Sequence, residues 1–246
     1  MSIKMRILLS AVMLLIIAYL CTAFTIFNKK PVGKLCTDIE VVTKDTTFSD
    51  IFTARSVIDI LKQKKLNPIG RDIDSVSTLL LERELSQNAL IDKVECYKTP
   101  SGRIRVVINQ KTPVLRVFNN YGESFLVDDK GSIMPHVSSN AFHLPVVTGH
   151  ATKSFCSHKL YEFGVFLQKD KFWSAQVEQI NILADNTIEI VPRVGNHIIY
   201  LGQLDGYERK LSRVQKFYDK ALNKIGWNKY SRINVELSNQ IICTKR

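Results

Sequence analysis

The feature that most constrains this chain is a long run without charged side chains, from Ile7 to Asn28. Leu, Ile, Val, Met, Ala and Phe make up most of it, and as an α-helix it would be roughly 33 Å long, enough to cross the hydrocarbon core of a bilayer. A cleaved signal peptide is the alternative, but its apolar part is usually only about 7–15 residues long. We therefore predict a short head at residues 1–6 and a transmembrane helix at residues 7–28.

The charges that flank this run do not decide its orientation. Lys4 and Arg6 precede it, and Lys29, Lys30 and Lys34 follow it, so the two flanks are nearly balanced. Length is more informative, because a long domain translocates largely regardless of its charge. We expect a cytoplasmic head and a single-pass protein with everything after Lys30 outside.

The composition of the whole chain is that of a folded protein. Its 246 residues are 45% hydrophobic and 23% charged, which fits one or two domains with a core and excludes a disordered chain. The formal net charge is +11, but the basic residues do not interleave with aromatic residues in any known nucleic-acid-binding module. We expect a solvated basic surface and no nucleic-acid partner.

The region after the apolar run predicts the order β-α-α-β-β. One helix is expected at Thr53–Lys65, where apolar residues recur at helical spacing and Thr53 can cap the N-terminus. A second helix is expected at Ser75–Gln87, capped by Asp74. Its expected inward residues are Val76, Leu79, Leu80 and Leu85. The expected strands are Leu35–Val42, Val94–Lys98 and Arg103–Gln110.

A second region begins at Pro113, because proline cannot donate to a central strand ladder. Short alternating segments with turns between them predict a mixed, mainly antiparallel sheet, so the fold class is α+β. Helices are expected at Ser157–Lys169 and Tyr207–Ile225, and residues 136–154 are expected to form a polar connection. The expected strands are Val114–Phe118, Glu123–Asp128, Ser132–Pro135, Val177–Leu183, Thr187–Pro192, His197–Leu201, Ser231–Leu237 and Gln240–Thr244.

The helix expected at Tyr207–Ile225 has the most regular pattern. Its apolar stripe holds Tyr207, Leu211, Val214, Tyr218, Ala221 and Ile225. The opposite, basic stripe holds Arg209, Arg213, Lys216 and Lys220. Such a stripe could face anionic lipid, but we interpret it as a solvated helix face.

Catalytic motifs are missing from the sequence. There is no Gly-rich phosphate loop, and no zinc-protease or serine-hydrolase motif. Asp128 and Asp129 are adjacent and would point to opposite faces of a strand, so beside Gly131 they indicate a turn. We expect no catalytic residue, no cofactor and no metal.

The histidine-rich segment and the cysteines allow alternatives to this interpretation. His136, His143, His150, Cys156 and His158 are zinc-binding residue types, and Cys156 with His158 could form a nucleophile and base, but their spacing fits no compact motif and no third group is evident. A membrane-anchored enzyme that uses this segment is therefore an alternative to a binding protein. Two disulfides among Cys36, Cys96, Cys156 and Cys243 are also open, although we expect free thiols because the spacing shows no disulfide framework.

An ordered set of short motifs resembles the bacterial cell-division family FtsQ/DivIB. Leu66–Gly70 (LNPIG) follows the first expected helix, and Gln110–Pro113 (QKTP) lies at the boundary between the regions. The other similar runs are Ala89–Val94, Glu123–Gly131 and Leu144–Gly149. Together these motifs span most of residues 35–246.

This resemblance implies a POTRA (polypeptide-transport-associated) domain at residues 35–112 and a β domain at residues 113–246. It also implies an inner-membrane scaffold at the division septum, with its bulk in the periplasm. Such a scaffold binds two small single-pass coiled-coil proteins, FtsB and FtsL, acts with components of the septal peptidoglycan synthase and helps to regulate septal peptidoglycan synthesis.

In the family, a partner adds a strand to the edge of the C-terminal sheet. The matching partner-binding positions are Ser231, Ile233, Val235, Gln240, Ile241, Ile242, Cys243, Thr244 and Lys245. An edge strand presents unpaired N–H and C=O groups, which suit such β-augmentation, and Lys245 and Arg246 could steer an acidic segment. No large aromatic residue follows Gln240, so the alternative is that the last strand only completes the sheet. A POTRA-bearing translocation factor that binds many extended peptides is the second alternative.

Overall fold

The computed structural model describes residues 3–27, 33–44, 53–135 and 144–246, and within the first range it describes side chains only for residues 12–24. The chain forms two compact units. One is centred on Phe52–Leu85 and Glu95–Val107, and the other on Ile108–Arg246.

The first element is helix α1, Ile3–Phe27, which coincides with most of the apolar run. Its described side chains are largely exposed. In the part of the chain that the structure describes, no helix combines the length and the hydropathy needed to cross a membrane. The structure therefore contains the helix that the sequence predicts. It does not identify this helix as a membrane-spanning one among the described residues.

The smaller unit has the expected β-α-α-β-β order. Its elements are β1 Asp38–Thr43, α2 Ala54–Gln63, α3 Thr78–Ser86, β2 Ile91–Lys98 and β3 Arg103–Gln110. Within the described residues, the strands form a three-stranded sheet in the order β1-β3-β2. Thr53 caps α2 as predicted: its Oγ1 accepts the N–H of Ser56, and the Ser56 side chain accepts the N–H of Thr53.

The second helix of this unit begins later than predicted. Ile73–Ser75 is a 3-10 turn that Asp72, not Asp74, caps, and α3 starts only at Thr78. The inward face of α3 also differs from the predicted one. Leu81 and Leu85 are buried, whereas the predicted inward residue Leu79 is 74% exposed.

The larger unit is built on a mixed sheet. Its strands are β4 Pro113–Phe118, β5 Ser124–Asp128, β6 Ile133–Pro135, β7 Val146–Gly149, β8 Val177–Ile182, β9 Ile188–Pro192, β10 Ile198–Gly202, β11 Tyr230–Asn234 and β12 Ile242–Lys245. Among the described residues they form one nine-stranded sheet in the order β12-β11-β10-β9-β8-β7-β4-β5-β6. The β10–β11, β4–β7 and β7–β8 pairs are parallel, and the other neighbours are antiparallel.

Strand β7 corrects the prediction of a polar connection over residues 136–154. Val146–Gly149 lies in the middle of the sheet, parallel to β4 on one side and to β8 on the other. It was missed because a four-residue strand after a proline is too short to show alternation. Residues 136–143 of the predicted connection lie outside the described residues.

Helices cover one face of this sheet. Their bounds are α4 Lys153–Phe155, a π-helical turn Cys156–Leu160, α5 Tyr161–Lys169, α6 Lys171–Gln176, α7 Tyr207–Phe217, a π-helical turn Tyr218–Leu222 and α8 Asn223–Ile225. Gly164 lets α5 approach β4, because a Cβ there would lie 2.8 Å from Cγ of Leu115. The sheet and helices share one core that includes Leu115, Phe163 and Ile233.

The regular helix predicted at Tyr207–Ile225 contains a π-helical turn. Leu211, Val214 and Tyr218 are buried as expected. After Tyr218 the wider turn shifts the buried stripe, so that Leu222 is buried and Ile225 is 42% exposed. Regular helical periodicity cannot anticipate this shift.

Candidate partner-binding edge

The chain ends in two adjacent antiparallel strands, β11 and β12, close to the positions predicted for them. The register pairs Arg232 with Thr244, Ile233 with Cys243, and Asn234 with Ile242. A bulge near Ser231 shifts the register by one residue before the next pair. β11 is parallel to β10, and β12 is the outermost strand at this end of the sheet.

The direction of the β12 backbone groups follows from two contacts. The N–H of Arg246 donates to the carbonyl oxygen of Lys229 at 3.3 Å, and the Ser231 hydroxyl donates to the carbonyl oxygen of Thr244 at 3.3 Å. Successive residues of a paired strand turn their N–H and C=O groups to opposite sides. Thr244 and Arg246 therefore face β11, while the backbone groups of Cys243 and Lys245 point outward.

The outward side of β12 has no neighbouring strand within the described part of the chain. Its side chains divide between the two faces of the sheet. Ile241 and Cys243 are half-buried against the core on the helix-covered face. On the open face, Thr244 is exposed and Ile242 is 48% exposed. A strand added beside β12 would thus meet an apolar layer on one face and a solvated surface on the other.

The structure separates the nine predicted site residues into two groups. Ile233 and Val235 are 0% exposed, so their side chains belong to the core and cannot contact a partner directly. Ser231 lies on β11, one strand behind the edge. The predicted residues on or next to the edge are Gln240, Ile241, Ile242, Cys243, Thr244 and Lys245.

Beside β12, the open face carries an ordered group of polar side chains on β11, β10 and β9. The Arg232 guanidinium donates to Glu189 at 2.6 Å and lies over the ring of Tyr200, 4.5 Å from its centroid. Asn181 on β8 donates to the other oxygen of Glu189 at 3.1 Å. This group fixes the cation of Arg232 close to Thr244, its cross-strand neighbour.

Arg213 contributes to the structure of this edge, although the sequence pattern placed it on a solvated helix face. Its side chain, which projects from α7, is half-buried and donates to backbone carbonyl oxygens of the segment that joins β11 to β12. Helical periodicity placed Arg213 opposite the apolar stripe but could not show a tertiary contact with the chain terminus.

The thiol and histidine groups do not form a reactive centre in the described residues. Burial raises the pKa of Cys156 to about 12, so this residue is a protonated thiol near neutral pH. The Nδ1 of His158 lies 2.8 Å from the carbonyl oxygen of Ser154. No group of three metal-ligating side chains occurs in the described ranges, and His136 and His143 lie outside them.

The cysteines are all unbridged thiols in the structure. Cys243, on the edge strand, is half-buried, and this burial raises the pKa of its thiol above the ordinary value. The edge therefore presents a neutral thiol on the core face.

Comparison with known families matches both folded regions. A model described as FtsQ/DivIB, C-terminal related, matches residues 112–244, which is more than half of the 246 residues. A model of a POTRA-like domain matches residues 34–109. The search of curated proteins found no match for the chain.

Proposed function

The chain belongs to the FtsQ/DivIB family of cell-division proteins, and we propose that it is a division scaffold that binds a partner by adding the partner's strand to β12. The proposal rests on one observation above all. β12 ends the sheet with outward backbone groups at Cys243 and Lys245 that have no partner among the described residues. Unpaired edges are normally blocked because they pair with other chains, so a retained open edge favours recruitment.

The geometry of the edge defines the chemistry of the partner. Backbone hydrogen bonds to β12 would supply affinity, and alternate side chains would supply selectivity. On the core face, an apolar partner side chain would extend the layer that Ile241 and Cys243 form. On the open face, polar or acidic side chains suit Thr244 and the nearby Arg232. The partner segment is thus an alternating apolar and polar strand with negative charge.

Location and partners complete the proposal. The uncharged run at residues 7–28 of the sequence supports an inner-membrane anchor, with the bulk of the chain in the periplasm. Family membership supports FtsB- and FtsL-type coiled-coil proteins as partners and regulation of septal peptidoglycan synthesis as the outcome. A buried Cys156 thiol with a pKa of about 12 supports a scaffold over an enzyme.

The experiment that tests this function compares the full chain with a version that lacks residues 240–246. Both would be tagged, purified gently from membranes of the native cell, and analysed by mass spectrometry for co-purifying proteins. We expect small single-pass coiled-coil proteins with the full chain and their loss from the truncated chain, because the deletion removes every outward group of β12.

The control is the fold of the truncated chain. Its circular dichroism spectrum and unfolding transition should show an intact sheet and core, since Ile233 and Val235 remain in place. Equal recovery of the same partners with both chains would contradict strand addition at β12. Normal division after depletion of the protein would contradict the division role as a whole.

A further inference from the structure

The segment that joins β11 to β12, residues 235–241, has several carbonyl oxygens bonded to one cation on a neighbouring helix. One terminal guanidinium nitrogen of Arg213 lies within hydrogen-bond distance of the carbonyl oxygens of Leu237 at 2.6 Å, Ser238 at 2.7 Å and Gln240 at 3.3 Å, so its two N–H groups are shared among three acceptors. The other terminal nitrogen donates to the carbonyl oxygen of Val235 at 2.5 Å. Four backbone carbonyl groups therefore converge on one side chain.

This convergence requires a positive group at its centre. Carbonyl oxygens that point at one another repel, and only a donor with several N–H groups can satisfy them together. Arginine carries five donors in a rigid plane, whereas a lysine ammonium is a point charge on a flexible stem. The arrangement thus fits a guanidinium better than any other side chain.

Arg213 projects from a rigid support. Its neighbours on α7, Leu211 and Val214, are both 0% exposed in the core. The first part of the joining segment is also fixed from the sheet, because the N–H of Val235 donates to the carbonyl oxygen of Tyr200 at 3.0 Å. From Leu237 to Gln240 the side chains are exposed, so Arg213 provides the main contact of this stretch with the rest of the unit.

The strand that follows has few other attachments. Among the described residues, β12 has four residues and one neighbouring strand, and half-buried side chains connect it to the core. Strands at chain termini fray unless they are tied down. At its far end, Arg246 bonds to the carbonyl oxygens of Lys229 and Asn196. Contacts from Arg213 and Arg246 therefore bracket β12.

We propose that Arg213 is a positioning residue that holds β12 in strand geometry, so that its outward groups are pre-ordered for an incoming partner strand. The inference rests on the proposed function of β12 and adds a residue outside the strand that controls it. Ordering before binding lowers the entropic cost of association, so the contact from α7 raises affinity without touching the partner.

The test is hydrogen exchange of the full chain, without partner, measured by mass spectrometry. In Arg213→Ala, the amides of Thr244 and Arg246, which face β11, should exchange at least about tenfold faster, while those of α7 and the central strands stay unchanged. Arg213→Lys should give an intermediate rate, because it restores the charge but not the planar donor array. Arg209→Ala is the matched control, since Arg209 lies one turn earlier on the same helix and is exposed.

Recovery of the coiled-coil partners from membranes provides the second readout. Arg213→Ala should lower it by about tenfold relative to the Arg209→Ala chain, because β12 must then be ordered during binding. Unchanged exchange at Thr244 and Arg246 would overturn the inference, and so would faster exchange spread evenly over the whole unit.

The role of Arg213 would also be contradicted if the Arg213→Ala chain recovered its partners fully while deletion of residues 240–246 abolished their recovery. Recovery that survives the deletion itself would contradict the proposed function instead. The exchange measurement needs no partner, so it decides the role of Arg213 in either case.

Discussion

The two edges of the nine-stranded sheet offer very different surfaces to another chain. At one end, β6 is a strand of three residues that includes Pro135. The N–H of Asp128 donates to the carbonyl oxygen of Ser132 at 3.0 Å, so alternation turns Ile133 and Pro135 outward. Proline has no N–H, and this edge therefore lacks a donor at one of its two outward positions.

At the other end, β12 has four residues and no proline. Its outward positions, Cys243 and Lys245, both keep a backbone N–H. The difference shows that one edge of this sheet is protected by its sequence, while the other has no neighbouring strand in the part of the chain that the structure describes. Protection of edges is the general rule in soluble sheets, so the unprotected end is the one that indicates a function.

In the smaller unit, a side chain covers a backbone donor of the edge strand β2. The carboxylate of Glu82 on α3 accepts the N–H of Cys96 on β2 at 2.6 Å. A side chain thus occupies a donor that would otherwise be open to pairing. The chain therefore closes an edge with a side chain in one unit and with a proline in the other.

The largest predicted difference in stability between the two edges comes from the core residue that pairs with β12. Ile233 is 0% exposed and pairs with Cys243. Ile233→Ala should lower the free energy of unfolding of the larger unit by about 2–5 kcal/mol, through lost burial and a cavity. Chemical denaturation of the full chain would measure it. Ile133→Ala, at the half-buried β6 edge, is the control and should cost clearly less; equal losses would show that the two ends are supported alike.

A smaller effect concerns the capped edge of β2. Glu82→Ala should lower the free energy of unfolding of the smaller unit by about 1–3 kcal/mol, because the Cys96 N–H loses a charged acceptor. Glu82→Gln keeps an acceptor oxygen and should recover part of this loss. Denaturation followed by a probe in the smaller unit would report it. If the alanine variant were as stable as the original chain, the hydrogen bond from Cys96 to Glu82 would not stabilise this edge.

The smallest expected effect is a pH dependence near the end of β12. Burial lowers the pKa of His197, and the charge of Arg246 adds to this. The unfolded chain takes up this proton near pH 6.5, so it binds more protons than the folded chain below that pH. Stability should therefore fall as the pH drops below about 6.5, by at most about 1.4 kcal/mol per unit.

Denaturation midpoints at about pH 7.5 and about pH 5.5 would show this dependence. His197→Gln should flatten it, because the glutamine side chain does not titrate in this range. An unchanged pH dependence in this variant would show that His197 does not titrate differently in the folded and unfolded chains.

Much of the fold was predictable because its signals are local. Thr53 as an N-cap, β3 at Arg103–Gln110 and the strands β8 to β10 follow from capping and alternation alone. The start of α3 was wrong because Asp72 caps a separate 3-10 turn at Ile73–Ser75, and the α-helix begins only at Thr78, after Ser77, whose Oγ accepts the N–H of Leu80. The π-helical turn at Tyr218–Leu222 was missed because the apolar pattern was interpreted with the spacing of a regular α-helix.

The candidate site was predictable in position but not in composition. The β-branched residues Ile241, Ile242 and Thr244 predicted a strand at the chain end, and the structure shows it at the edge of the sheet among the described residues. Ile233 and Val235 were included although they are core residues, because burial depends on neighbouring strands and helices. Arg213 was missed because its acceptors are backbone carbonyl groups far away in sequence.

The most direct test of the central claim removes one outward N–H and leaves the rest of β12 intact. Cys243→Pro does this, and proline is tolerated on edge strands where its nitrogen faces solvent. Cys243→Ala is the matched control for the lost thiol, and Pro135→Ala reopens the opposite edge. The measurement is recovery of the coiled-coil partners from membranes by each full chain. The account predicts loss of partners with Cys243→Pro and unchanged recovery with the other two variants, whereas equal recovery with Cys243→Pro in a folded chain would contradict it.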